Sequence, residues 1–287
     1  MRFPKIYLEI TNVCNLNCSF CRGTARDKAF LAPETFRRYA AEARKFTEYL
    51  YLHVMGEPLL HPELEDILDI AADLGFRICI TTNGTLLPER LGALLCRAEN
   101  IYKVSVSLHA FEANTAARVG CDFETYVRRC ADAASALGEK GTIVALRLWN
   151  NDNPDAIVPA RNRENEAVLS ILQERFPNEW TPNRRGSKIG AGVYLEWGDK
   201  FDWPTTDGSI PDHGPRAHCF AMKDHIAILA DGRVIPCCID CDGVMSLGSL
   251  EDKTLEAILE DAPATAFLGA LSAHKLAYPL CRHCNFH

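Results

Sequence analysis

Short apolar runs alternate with longer amphipathic stretches through the first two thirds of the chain. The runs are Lys5–Ile10, Leu50–Val54, Arg77–Thr81, Lys103–Ser107, Thr142–Arg147 and Gly192–Trp197. Each is short and rich in β-branched or aromatic residues, which predicts a strand. The stretches between them carry helix punctuation. Pro33 suits a first helical position ahead of Glu34–Phe46. His61-Pro62 opens Glu63–Leu74, and Gly75 is placed to close it. Asp122 can N-cap Phe123–Leu137, with Gly138 after it. Six strands alternating with helical crossovers predict parallel pairing and right-handed connections, hence the α/β class, as a barrel or an open sheet. Ligands in such folds sit at the carboxyl ends of the strands.

The pattern breaks at Gly198–Arg216, where Pro204, Gly208, Pro211, Gly214 and Pro215 lie among Asp and Thr. This stretch reads as a connection to a second unit. A hairpin follows: His225–Ala230, an Asp231-Gly232 turn, then Arg233–Cys237. Ser249-Leu-Glu-Asp252 has the form of an N-capping box ahead of a helix over Thr254–Leu259. The expected organisation is a core over residues 1–198, a linker over 199–216 and a small cysteine-rich unit over 217–287.

Composition changes the picture at one point. The chain has 287 residues, 47% hydrophobic and 24% charged, which is ordinary for a globular protein, yet 13 are Cys. Met1-Arg-Phe-Pro-Lys5 leads straight into the first strand without a charged-then-apolar signal, and no apolar run approaches a membrane span. Many Cys without a secretion signal point to metal or cluster ligation in a reducing compartment, so a cytoplasmic location is expected. A net charge of −7 argues against a broad electrostatic footprint for nucleic acid.

Three of these thiols, Cys14, Cys18 and Cys21, fall within eight residues just after the first strand. Three thiolates on one loop can hold three irons of a cubane cluster and leave the fourth iron open. An open coordination position marks a catalytic metal site. A zinc site is the competing reading, but zinc ligands usually come as two C-x2–4-C pairs. The spacing C-x3-C-x2-C, with Phe20 before the last Cys, resembles the signature of radical S-adenosylmethionine (SAM) enzymes. The resemblance implies a partial (β/α)6 TIM-like barrel. It also implies a [4Fe-4S] cluster whose open iron binds SAM and cleaves it to a 5′-deoxyadenosyl radical. Met55-Gly56-Glu57-Pro58 looks like the family's GGEP motif, with Met55 where the first Gly is usual. There the backbone and the Glu57 carboxylate would hold the SAM ammonium through a charge-assisted bond. Thr82-Asn83-Gly84 matches a T-N-G common in the family. Ser107 falls where members contact the SAM ribose, and Arg147 is placed to fork onto the SAM carboxylate. Phe20 and the backbone near Tyr194 are the expected adenine neighbours. Glu9, His53, His61, His109, Asn150 and Glu196 share the rim and are candidates to bind substrate, although a structural role is the more ordinary one for each His.

The last quarter of the chain carries Cys219, Cys237, Cys238, Cys241, Cys281 and Cys284. Cys219, Gly232-x4-Cys237, Leu247-Gly248-Ser249 and Cys281-x2-Cys284 resemble the SPASM appendage of radical SAM enzymes, or its shorter twitch form. That resemblance implies one auxiliary [4Fe-4S] cluster on Cys219, Cys237, Cys281 and Cys284, closed by four thiolates and suited to electron transfer. Cys238 and Cys241 are surplus. Either one of them is a hydrogen-atom donor, or both pair with Cys281 and Cys284 as two C-x2-C pairs at zinc, or they are simply buried small residues. Cys79, Cys96, Cys121 and Cys130 sit on strand or helix patterns and read as core. The expected chemistry is net oxidation of a substrate, a small molecule or a peptide, with an external reductant such as flavodoxin or ferredoxin. Epimerisation with a thiol donor, peptide or RNA modification, and a non-enzymatic iron–sulfur or zinc protein are the alternatives.

Overall fold

The computed structural model describes residues 2–151, 163–199, 202–276 and 278–285, with side chains at 117, 150, 151, 163 and 164 outside the description. Six strands run parallel in one curved layer: β1 (Lys5–Leu8), β2 (Tyr49–Tyr51), β3 (Arg77–Thr82), β4 (Ile101–Ser107), β5 (Ile143–Asn151) and, two strands later in the chain, β8 (Val193–Asp199). Between β5 and β8 come β6 (Thr181–Asn183) and β7 (Gly186–Gly190), a hairpin that extends the sheet antiparallel beyond β8. Helices α1 (Pro33–Arg44), α2 (Leu64–Asp73), α3 (Leu87–Leu95), α4 (Ala116–Val119), α5 (Phe123–Glu139) and α6 (Arg163–Arg175) make the crossovers. The result is a partial barrel of the α/β class.

Period-2 alternation sorts the strand residues. Ile6, Leu8, Leu50, Ile78, Ile80, Val104, Val106, Val144 and Leu195 are buried in the hydrophobic core. They meet apolar helix stripes such as Phe36, Tyr39, Ala40 and Ala43 of α1, spaced at i, i+3, i+4 and i+7. The intervening positions carry polar groups that touch one another across strands. Tyr7 packs on Tyr51 and His53 at 5.0 and 5.4 Å, and Lys103 pairs with Glu196 at 3.0 Å. The barrel interior is therefore polar, and its outer layer is the apolar core.

The cysteine-rich segment does not stand apart from the barrel. Strand β9 (His225–Ile228) pairs parallel to β1 in the register Lys5↔His225 to Leu8↔Ile228. Strands β10 (Arg233–Ile235) and β11 (Gly248–Ser249) continue outward, giving an 11-stranded sheet. Helices α7 (Leu255–Glu260), α8 (Ala262–Ser272) and α9 (Pro279–Arg282) complete the segment. Glu42 of α1 caps α7 by accepting the Leu255 N–H at 3.0 Å.

Two local expectations are corrected. Ser249 lies on β11 rather than capping a helix; the cap of α7 is Thr254, whose hydroxyl accepts the Ala257 N–H. Gly138 lies inside α5 rather than beyond it, and a Cβ there would sit 2.0 Å from the Ala191 carbonyl. The glycine is a close-approach position between α5 and the turn before β8. Asp122 does cap α5, accepting the Thr125 N–H at 2.8 Å.

Candidate functional site

The loop after β1 is built as a closed unit. Thr11 bridges to Phe30, and the Asn12 side chain donates to the Asp27 carbonyl and accepts from the Ala29 N–H. Cys14 and Cys21 are exposed and Cys18 is half-buried. All three sulfurs receive N–H donors. Leu16 and Gly23 donate backbone N–H groups to Cys14 and Cys21 at 3.4 Å, and Asn114 Nδ2 reaches Cys18 Sγ at 3.2 Å. Asn83 Nδ2 lies 3.8 Å from Cys14 Sγ. Burial pushes the Cys18 thiol up and the Asn114 amide pulls it down. Donors aimed at sulfur suit thiolates that carry a metal cluster. Nothing in sequence singles out Asn114, which follows β4 and stands 96 residues from its partner.

The Gly56–Glu57 turn docks against this loop. Gly56 has φ +78°, and a Cβ there would meet the Thr11 carbonyl at 2.4 Å and the Val13 carbonyl at 2.9 Å. The Glu57 N–H donates to Val13 O at 2.8 Å. The Glu57 carboxylate is buried and accepts the Leu59 N–H at 3.0 Å and the Asn83 N–H at 2.7 Å. Burial raises it to about 7 despite these bonds. Met55, at the departure from the family pattern, is buried among Val54, Ala227, Leu229, Ile235 and Cys241. Its side chain is spent on packing against the β9–β10 hairpin.

Deeper in the barrel, Arg147 Nη2 donates to Ser107 Oγ at 3.0 Å, and the guanidinium lies 4.3 Å over the Trp149 ring. Arg147 Nε and His53 Nδ1 are buried with no hydrogen-bond partner. Burial lowers Arg147 to about 10 and His53 to about 3, where the Arg147 charge adds to the effect. A guanidinium with an unpartnered Nε and no ion pair among the described residues fits an anionic group such as the carboxylate of SAM. Phe20 is half-exposed and rests 5.2 Å from His109. Tyr194 lies half-buried on β8, opposite Ala145 of β5.

Most of the other rim groups are engaged structurally. His61 Nε2 lies 3.0 Å from Leu31 O and its Nδ1 accepts from Glu63 N–H, while His109 Nδ1 is 3.1 Å from Arg147 O. Glu196 is held by Lys103. The Asn150 side chain lies outside the described residues. Glu9, expected at the rim, is instead a fully buried hub. Its carboxylate takes both Arg26 nitrogens at 2.7 Å, the Met55 N–H at 3.1 Å and the Ala230 N–H at 3.1 Å. Arg26 also donates to Cys241 O at 2.9 Å. One ion pair thus ties together the cysteine loop, the Gly56–Glu57 turn and the C-terminal hairpin.

Cys219, Cys237, Cys281 and Cys284 line a single cavity, walled by Ala221, Ile239, Met245, Phe267 and Leu280. Four thiols facing one apolar space suit a closed cluster site. Cys241 borders a different cavity and is buried against Val54 and Met55, so the fold does not bring Cys238 and Cys241 together with Cys281 and Cys284 as two zinc pairs. Cys238 lies with Cys237 and His225, its Sγ 3.8 Å from His225 Nε2, and shares a hydrogen bond with Tyr7. Cys79 and Cys130 are core as expected. Cys96 is exposed and Cys121 half-buried, because they fall at the end of α3 and just before α5 rather than on buried faces.

The radical SAM superfamily matches residues 8–158, more than half of the chain. This protein belongs to the radical SAM superfamily. An iron–sulfur cluster-binding SPASM domain matches residues 219–285. The chain is therefore a radical SAM enzyme that uses SAM and iron–sulfur clusters. A probable GTP 3′,8-cyclase of Methanocella arvoryzae is 24% identical over 90% of this chain and 89% of its own. An AdoMet-dependent heme synthase of Methanosarcina barkeri is 32% identical over 37% of this chain. The match spans only 31% of that heme synthase, and 48% of a GTP 3′,8-cyclase of Aquifex aeolicus. In structure, BtrN in complex with AdoMet and 2-DOIA superposes with a TM-score of 0.62 at 19% identity, covering 99% of this chain and 94% of BtrN. The enzyme anSMEcpe with bound AdoMet gives 0.62 at 13% identity over 98% and 83%. Among the described residues no helix is long and apolar enough to cross a membrane.

Proposed function

We propose that this radical SAM enzyme oxidises a small organic substrate inside the barrel, and that an auxiliary cluster at Cys219, Cys237, Cys281 and Cys284 takes up the electron released. The observation that carries the reading is the single apolar cavity lined by those four thiols. A cluster held by Cys14, Cys18 and Cys21 would supply the electron that cleaves SAM to a 5′-deoxyadenosyl radical able to remove a hydrogen atom from substrate. The rest falls to residues of this chain. Cys14, Cys18 and Cys21 provide three thiolates, whose charge is eased by the Asn114 and Asn83 amides. Gly56 lets the turn approach the cysteine loop, and the buried Glu57 carboxylate would hold the SAM ammonium. Ser107 and Arg147 would receive the ribose and carboxylate, and Phe20 and the Tyr194 backbone would flank the adenine. His53, with its free nitrogen in the barrel, is the group we assign to substrate. The match to 94% of BtrN, whose structure holds AdoMet and 2-DOIA, supports the small-substrate reading, and anSMEcpe with a bound peptide, at the same TM-score of 0.62, keeps a peptide as the alternative.

One observation favours a second reading. The Cys238 thiol bonds to Tyr7, whose ring packs on Tyr51 and His53, whereas Cys241 is buried in the apolar cluster of Val54, Met55 and Leu229. Cys238 is thus the better candidate to return a hydrogen atom to a substrate radical, giving epimerisation.

Anaerobic reconstitution with iron, sulfide, reductant and SAM, followed by assay for 5′-deoxyadenosine, tests the radical chemistry; a fully loaded protein that forms none would reject it. Replacing Cys14, Cys18 and Cys21 together with Ala should lower bound iron from about eight to about four atoms per chain and abolish 5′-deoxyadenosine. Iron that stays unchanged or falls to nothing would overturn the ligand assignment. Cys238→Ala that keeps SAM cleavage but loses product would favour epimerisation, whereas unchanged product favours oxidation.

A further inference from the structure

Cys219 lines the auxiliary cavity, yet its chain neighbours His218 and Phe220 both face solvent. Phe220 is 58% exposed, among the most exposed large hydrophobic side chains described. Its ring sits edge-on to His218 at 4.9 Å, and His218 lies 5.9 Å from His274. Exposed cationic residues surround this pair. Arg216 and Lys275 are joined by a β-bridge, and the Lys223 N–H donates to Phe220 O at 3.0 Å. Neither Arg216, Lys223 nor Lys275 enters an ion pair among the described residues. Asp224, the acid beside Lys223, is occupied by Lys5 at 2.7 Å and His225 at 3.3 Å. The backbone of the face is held firmly. Met222 and His274 adopt φ of 55° and 56°, a conformation that non-glycine residues keep only where the surroundings enforce it. A cationic, aromatic-centred patch on a chain of net charge −7 is complementary to an acidic surface that the rest of the molecule repels.

We infer that this face docks a small acidic one-electron carrier protein, which takes the electron from the auxiliary cluster through the Cys219 edge. The inference rests on the proposed oxidation. There the substrate gives one hydrogen atom to the deoxyadenosyl radical, then one electron to the auxiliary cluster and one proton to solvent. The electron on the cluster must leave before the next turnover, and the oxidised carrier becomes reduced by one electron with no bond made or broken. An exposed aromatic one residue from a cluster thiol gives the carrier a contact point beside that cluster.

The test uses the reconstituted protein and oxidised flavodoxin as the acidic probe, with binding read by surface plasmon resonance. Wild type should bind, and the affinity should fall steeply between about 50 and about 300 mM salt. Reversing charge in R216E/K223E/K275E should weaken binding by about tenfold or more, and F220S by several-fold, mainly through faster dissociation. SAM cleavage driven by dithionite, which needs no docking, should stay at the wild-type rate in each variant. Should the triple variant unfold, K275E alone and the wild-type salt series carry the same comparison. Absence of binding by wild type, or equal affinity in wild type and the charge-reversed chain, would overturn the docking face. Failure of wild type to make 5′-deoxyadenosine with dithionite would instead count against the radical reading and leave the binding result standing.

Discussion

Glu57 concentrates the electrostatics of the site in one carboxylate. Its burial raises it to about 7, so near neutrality the free protein divides between the acid and the carboxylate. The SAM ammonium pairs with the carboxylate only. Binding must therefore tighten as pH rises through about 7, and below that point each unit should weaken it up to tenfold. Calorimetric titration of SAM into the cluster-loaded protein from pH 6 to 8 measures this slope; a flat profile would remove Glu57 as the ammonium partner. Gly56 makes a second residue-level prediction. Alanine there is disfavoured by the +78° φ and meets two carbonyls of the cysteine loop, so the loop must shift. Gly56→Ala should lower SAM affinity at least about tenfold while the C-terminal thiols keep their iron. These residues were legible because cysteine spacing and the G-E-P triplet are local. Asn114 and Arg26 were not, since each acts on a group that chain topology alone brings near.

At the scale of elements, alternation identified the six parallel strands because each has one face in the apolar core and one in the barrel. The β6–β7 hairpin escaped notice for the opposite reason. Thr181–Asn183 is exposed throughout, so no period-2 signal marks it, and the β6–β7 hairpin covers the edge that β8 would otherwise present. Pro88 and Gly92 weaken the helical signal of α3 in a similar way. Glu9 shows what a residue loses when its element is known but its neighbours are not. Its place at the end of β1 suggested a substrate group, yet four donors converge on it from Arg26, the turn after β9 and the Gly56 turn. Glu9→Ala leaves the Arg26 charge buried without a partner, and a loss of about 3–5 kcal/mol in urea unfolding is expected. A loss below about 1 kcal/mol would mean that the pair is as weak as an exposed one.

The whole molecule is more unified than its sequence suggests. A proline- and glycine-rich stretch over 199–216 and a change in cysteine density favour a division into 1–198 and 217–287, and we retain that division as a proposal about function rather than stability. The β1–β9 pairing makes the two parts share one sheet, and Val54 and Met55 of the barrel are buried together with Ala227, Leu229 and Ile235 of the hairpin. A chain cut to residues 1–198 would uncover the hydrogen-bonding edge of β1 and the apolar face of Val54 and Met55, and would remove the Ala230 N–H, one of the four donors that satisfy Glu9. An unpaired, apolar strand edge is a template for association. The truncated protein should therefore elute as oligomers or aggregates in size-exclusion chromatography and melt at a lower temperature than the intact chain. If it is instead monomeric with an unchanged melting temperature, the barrel is self-sufficient. The hub at Glu9 would then serve to orient the two cluster sites rather than to hold the fold.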